Sequence, residues 1–155
     1  MEFSLSQEID APAAFVFQAV TEFERFEQAA VARGVTVQRR AASSVEAPGP
    51  VWDINFLFHG KALELTLEIT EQTAPDRLVA SILAKSFRGQ AVCQLSSWET
   101  HKTRMTLSFM FEGQTLSGRL FLKALDVTKA ALEQKIAARM ANFAQETERD
   151  YRNAG

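Results

Sequence analysis

A chain of 155 residues, 46% hydrophobic and 23% charged, has an ordinary globular composition and is long enough to bury one core, so a single domain over residues 1–155 is expected. The formal net charge of −2 and the pI near 5.7 lack the basic footprint of a nucleic-acid binder. Cys93 is the only cysteine, which excludes an intramolecular disulfide; no apolar run approaches the roughly 18 residues of a membrane span, and Met1-Glu2-Phe3-Ser4 lacks the basic start of a secretory leader, so a cytoplasmic protein is expected.

Residues 2–10 alternate as a half-buried strand, with Phe3, Leu5 and Ile9 on one face and Glu2, Ser4, Ser6 and Glu8 on the other. Asp10 before Ala11-Pro12 reads as an acidic helix cap with proline in the first turn. Phe15, Val16, Ala19 and Val20 follow at helical spacing. A second helix from about Glu22 carries Phe23, Phe26, Ala30 and Val31 on one face, and Gly34 stops it. Val35 to Val45 reads as a polar edge strand, and Ala47-Pro48-Gly49-Pro50 as a loop.

The clearest strand comes next, with Trp52, Ile54, Phe56 and Phe58 on one face and Asp53, Asn55 and His59 on the other. His59-Gly60 predicts a tight hairpin. Leu63, Leu65, Leu67 and Ile69 alternate with Glu64, Thr66, Glu68 and Thr70, and Pro75-Asp76 turns the chain again. Arg77 to Lys85 is apolar in both phases, so its inner face is undecided. Ala91, Cys93 and Leu95 oppose Gln90, Gln94 and Ser96; after a turn at His101-Lys102, Met105, Leu107, Phe109 and Phe111 alternate with Arg104, Thr106 and Ser108. Short connections between these strands predict antiparallel pairing.

From about Gln114 to Arg152 the period becomes helical, with Leu125, Thr128, Leu132, Ile136, Met140 and Phe143 in one stripe. An unbroken helix of that length would reach roughly 57 Å at 1.5 Å per residue. That exceeds the roughly 40 Å width of a domain this size. A break or offset start near Ser117-Gly118, or a charged tail overhanging from about Glu146, is therefore expected. The pattern predicts an α+β fold, a curved antiparallel sheet of about seven strands around a long C-terminal helix, in the order β-α-α-β-β-β-β-β-β-α.

Two segments resemble a known superfamily. Glu8-Ile9-Asp10-Ala11-Pro12-Ala13-Ala14-Phe15-Val16-Phe17 is similar to its usual strand-to-helix opening, I-x-A-P-x-x-x-V-F, and Val20-Thr21-Glu22-Phe23-Glu24-Arg25-Phe26 resembles the D-x-x-x-[FWY] segment that follows. The superfamily is the START and birch-pollen-allergen group, or SRPBCC, in its bacterial polyketide cyclase/dehydrase and lipid-transport branch. The resemblance implies this arrangement, the group's helix-grip fold, across nearly the whole chain. It implies no single function, since the group includes lipid carriers, receptors, aromatase/cyclases and oxygenase subunits.

Candidate chemistry is sparse. His59 and His101 fall on turns without metal-ligand spacing, so no metal or other cofactor is expected. Cys93 reads as a small buried hydrophobe, and no nucleophile elbow or phosphate loop occurs. Lys123, Lys129, Lys135 and Arg139 interleave with Asp126 and Glu133 as a solvated helix face. Arg88 and Arg119 are candidate polar anchors at a cavity mouth. The remaining signal is apolar: twelve phenylalanines against one tyrosine, and a wall of Trp52, Ile54, Phe56, Phe58, Leu65, Leu67, Met105, Leu107, Phe109 and Phe111 facing Leu132 and Ile136.

The leading expectation is binding or transport of a small hydrophobic molecule, such as a lipid, isoprenoid or polyketide-like aromatic, without catalysis. A cyclase or dehydratase, which would need Asp53, Asn55 or Arg88 turned inward, is the alternative. A ligand-free interaction module, with a homodimer left open, is the third.

Overall fold

The computed structural model describes residues 1–40 and 49–154. The opening alternation forms β1 (Glu2–Ile9), with Phe3 and Ile9 buried and Glu2, Ser4, Ser6 and Glu8 exposed. Two helices follow, α1 (Ala13–Val20) and α2 (Phe23–Ala32). The expected cap at Asp10 is not made. Pro12 opens α1 with φ of −65°, and the Asp10 N–H instead donates to Glu148 Oε2 at 2.8 Å. The end of α2 is a Schellman turn: Gly34, at φ +85°, donates its N–H to the Val31 carbonyl, and Val35 donates to the Ala30 carbonyl, both at 3.0 Å.

Six strands complete the sheet: β2 (Thr36–Arg39), β3 (Val51–Phe58), β4 (Lys61–Thr73), β5 (Arg77–Ala84), β6 (Phe87–Glu99) and β7 (Lys102–Gly113). They pair antiparallel in the order β1-β7-β6-β5-β4-β3-β2. The polar edge strand is thus β2. Val35 and Arg40 flank it without strand assignment, and residues 41–45 of its expected span, with Ala47-Pro48 of the expected loop, lie outside the described residues. His59 and Gly60 close the β3–β4 hairpin with φ of 50° and 77°, the left-handed pair a two-residue turn needs.

Register settles the ambiguous fifth strand. Leu78, Ala80 and Ile82 sit opposite Cys93, Ala91 and Gly89, which in turn face Leu107, Phe109 and Phe111. One concave face therefore carries these residues together with Trp52, Ile54, Leu67 and Ile69 from β3 and β4.

The closing helix is two helices, α3 (Leu116–Val127) and α4 (Lys129–Ala154). The start near Ser117-Gly118 is met by α3, which Thr115 caps by accepting the Gly118 N–H at 3.0 Å. The break falls ten residues later, at Thr128. There the backbone N–H bonds only three residues back, to the Leu125 carbonyl at 3.1 Å, and the Thr128 hydroxyl donates to the same carbonyl at 3.2 Å. That side-chain bond competes with the helical ladder next to a second β-branched residue, Val127.

The expected overhanging tail does not occur. Met140, Ala144 and Thr147 are buried along one stripe, the Tyr151 ring packs edge-on to Phe15 at 5.1 Å, and Glu146 pairs with Arg25. The dense core sits at this end, where Ile9, Ala11, Val16, Phe17, Leu95 and Met105 meet Met140 and Ala144. Thr103 ties it together by donating from its buried hydroxyl to the Ala11 carbonyl at 2.7 Å.

Candidate functional site

Away from that dense end, the concave face and the helices do not touch everywhere. A cavity of about 380 Å³ lies between β5, β6 and β7 on one side and α4 on the other. Its floor is Leu78, Ala80, Ala91, Cys93, Met105, Leu107 and Phe109, and its far wall is Ile136, Arg139, Met140 and Phe143. The space exists because the middle of the floor carries small side chains. Ala80 and Ala91 face each other across β5 and β6, and Cys93 follows Ala91 on the same face. Three adjacent strands span roughly 10 Å at the usual interstrand spacing, wide enough for one flat or flexible guest.

A second lobe of about 220 Å³ continues across the sheet over β3 and β4, lined by Trp52, Ile54, Leu67, Ile69, Val37 and, from α2, Phe23, Glu27 and Ala30. Val20 and Phe26 line both lobes and form the boundary between them. Helix α2 is the roof. It has no buried residue, and it rests on the sheet and on α4 through the Phe23–Trp52 ring contact at 5.3 Å and the Phe26–Phe143 contact at 6.0 Å. Ion pairs of Arg25 with Glu146 and Asp150, and of Glu27 with Arg39, hold its rim.

The expected wall residues divide into three groups. Met105, Leu107, Phe109 and Ile136 line the main cavity. Trp52, Ile54 and Leu67 line the second lobe. Phe56, Phe58, Leu65, Phe111 and Leu132 line neither. Phe58 and Phe87 instead meet Phe121 of α3 at 6.1 and 5.5 Å, and Phe111 packs on Phe87 at 6.1 Å. These rings, with Phe56 against Phe58 at 6.5 Å, close the end of the sheet beneath α3.

The expected polar anchors are displaced. Arg88 lies on the convex face, largely exposed and paired with Glu112 at 3.1 Å. Arg119 packs beside Gly113 at the sheet's end, away from both lobes. Arg139, read with its charged neighbours as solvated helix surface, is exposed as expected and also borders the main cavity.

The convex face also holds Asp53, which accepts two hydrogen bonds from Arg40 at 2.8 Å and one from the Thr66 hydroxyl at 3.3 Å. The hydrogen bonds and charge of Arg40 hold its carboxyl below the usual value. Asn55 is exposed beside it. Asp53, Asn55 and Arg88, on which a cyclase or dehydratase reading depends, therefore all face away from the hollow.

Inside the hollow, burial pushes the Cys93 thiol up to about 12, so it stays protonated and acts as a small apolar group. His59 is exposed at its turn, and the Tyr151 hydroxyl and His101 Nδ1 share a hydrogen bond of 2.9 Å outside the hollow. Among the described residues, no three His, Cys, Asp or Glu side chains converge as metal ligands. Nor is any helix among them long and apolar enough to cross a membrane.

A curved antiparallel sheet closed by two N-terminal helices and a long C-terminal one is the helix-grip fold, and solved structures of SRPBCC proteins share it. The Zhui aromatase/cyclase of Streptomyces sp. R1128 matches with a TM-score of 0.72 at 14% identity, over 100% of this chain and 98% of that one. A norcoclaurine synthase of Thalictrum flavum matches with a TM-score of 0.69 at 7% identity, over 98% and 96% of the two chains. Ara h 8.0201 matches with a TM-score of 0.60 at 10% identity, over 99% and 98%. At these identities the likeness is one of fold. No protein-family model matches the chain, and no curated protein matches it in sequence.

Proposed function

We propose that this protein binds or carries a small hydrophobic molecule in the two-lobed hollow beneath α2 and α4. The observation that carries the reading is the main cavity itself: about 380 Å³ of space lined by apolar side chains except for one arginine at its rim. Ligand sites run from roughly 300 to 1,000 Å³ and are mostly apolar with few polar groups, and the hollow has that character. The fold supports the reading, since norcoclaurine synthase holds dopamine and hydroxybenzaldehyde on the same framework. Binding would draw on apolar burial, at about 25 cal/mol per Å² removed from water. Met105, Leu107, Phe109 and Ile136 would contact the guest first, and Trp52, Ile54 and Leu67 would contact its far end.

The test is retention. Purified protein is equilibrated with a solubilised lipid and aromatic extract, passed through a desalting column and analysed by native mass spectrometry. The expected result is a stoichiometric adduct of at least one apolar molecule, lost on organic denaturation. Absence of any adduct, with no shift in melting temperature across a panel of fatty acids, isoprenoids and polycyclic aromatics, would overturn the reading.

A further inference from the structure

Resting on that reading, we infer that the guest of the main cavity is an anionic amphiphile whose carboxylate, or similar acid, is held at the rim by Arg139. Ile136, Arg139 and Phe143 recur at steps of three and four along α4, so the arginine shares the flank that forms the cavity's far wall. Among the described residues it is the only charged side chain lining that lobe. The other charged residue lining the hollow, Glu27 in the second lobe, is already paired with Arg39.

Arg25, Arg39, Arg40, Arg77, Arg88 and Arg104 all reach a carboxylate of another element or strand position. Arg33, Arg119, Arg139 and Arg152 have no acidic partner within 4.0 Å among the described residues, and of these four only Arg139 lines the hollow. One helical turn earlier Lys135 adds a second positive charge on the same flank, a like-charge spacing that costs an isolated helix a few tenths of a kcal/mol.

The chemistry of the rim follows from these placements. Arg139 is exposed and borders the apolar lobe, a position from which its aliphatic stem can cover apolar surface while the guanidinium stays in water. A planar guanidinium offers two parallel donors that match a carboxylate. An amphiphile can therefore bury its hydrocarbon between Ala80, Ala91 and Phe109 and keep its acid at the edge, without carrying charge into the apolar floor.

Two probes of equal chain length test this, dodecanoate and dodecan-1-ol, titrated at pH 8 and low salt against wild type, Arg139→Gln and Arg139→Lys. Arg139 is exposed, so these variants fold. The readout is the ratio of the two affinities, compared between proteins so that the probes' own solubilities cancel. Arg139→Gln is expected to lower the dodecanoate-to-dodecanol ratio about fivefold, equivalent to about 1 kcal/mol, with dodecanol binding unchanged. Arg139→Lys should retain part of the preference, and 0.5 M salt should weaken it in wild type. An unchanged ratio in Arg139→Gln, with both probes bound, overturns the anion inference and leaves the hollow as a binding site. Failure of wild type to bind either probe also overturns the amphiphile inference, whereas the binding-site reading falls only if the extract and the ligand panel fail as well.

Discussion

Replacing Ala91 by leucine distinguishes a hollow from a filled core by the sign of its effect. Ala91 lies opposite Phe109 on β6, part-exposed on the cavity floor. Leucine adds three carbons, and at about 0.8 kcal/mol per buried methylene the gain is at most about 2.4 kcal/mol. Restricting the leucine rotamers returns roughly 0.5–1 kcal/mol. The unliganded variant should therefore be more stable by about 1.5 kcal/mol, which for a chain of this size raises the melting temperature by roughly 3–6 °C. The assay is urea denaturation followed by circular dichroism, with melting curves in parallel, on protein stripped of lipid. Binding of dodecanoate should weaken in the same variant, because the added carbons occupy its space. A loss of 1–3 kcal/mol, the usual cost of forcing methylenes into a packed interior, would refute the reasoning and mean that the floor around Ala91 is already full.

Cys93 should be nearly inert in the folded protein: a thiol raised from 9.0 to about 12 has about a thousandfold less thiolate at pH 8, so iodoacetamide should label it far more slowly before denaturation than after. Asp53 is lowered below its ordinary 3.8, so its contribution to stability is complete above that value and disappears as pH falls through the folded value. An NMR titration of the Asp53 carboxyl should show the depressed value in wild type and a return towards 3.8 in Arg40→Gln. Gly118→Ala should destabilise the fold by several kcal/mol, since its Cβ would lie 1.8 Å from the Ser86 carbonyl oxygen. Urea midpoints for Gly118→Ala and for the neighbouring exposed Ser117→Ala would separate this clash from a simple change in helix propensity.

The strands were legible because a half-buried sheet repeats every two residues. Trp52 to Phe58 and Met105 to Phe111 show their inner faces directly, and His59-Gly60 announces its own turn. Which helix covers each inner residue was not legible, since periodicity gives a side chain's direction but not its partner. Phe58 points inward as expected, yet it meets Phe121 of α3 rather than open space. The break at Thr128 was hidden for a similar reason: the apolar stripe runs through it, and only the local hydrogen bonds show where the ladder gives way. The hollow left a faint trace in Ala80, Ala91 and Cys93, small residues whose alignment across β5 and β6 depends on register. Arg139 is exposed like Lys123, Asp126 and Lys135 of the same charged series, and only the placement of α4 over the sheet shows that it also borders the hollow.

Helix α2 has no fully buried residue, and two ring contacts and a few ion pairs at its rim help hold it over the hollow. Exposed ion pairs contribute little each, typically under about 1 kcal/mol. If the hollow takes a guest as proposed, displacing this short helix disturbs fewer buried contacts than opening the dense end where β1, α1 and α4 meet. On that reading the rate of entry would depend on ionic strength as well as on fit, because salt screens the rim ion pairs and leaves the apolar core untouched.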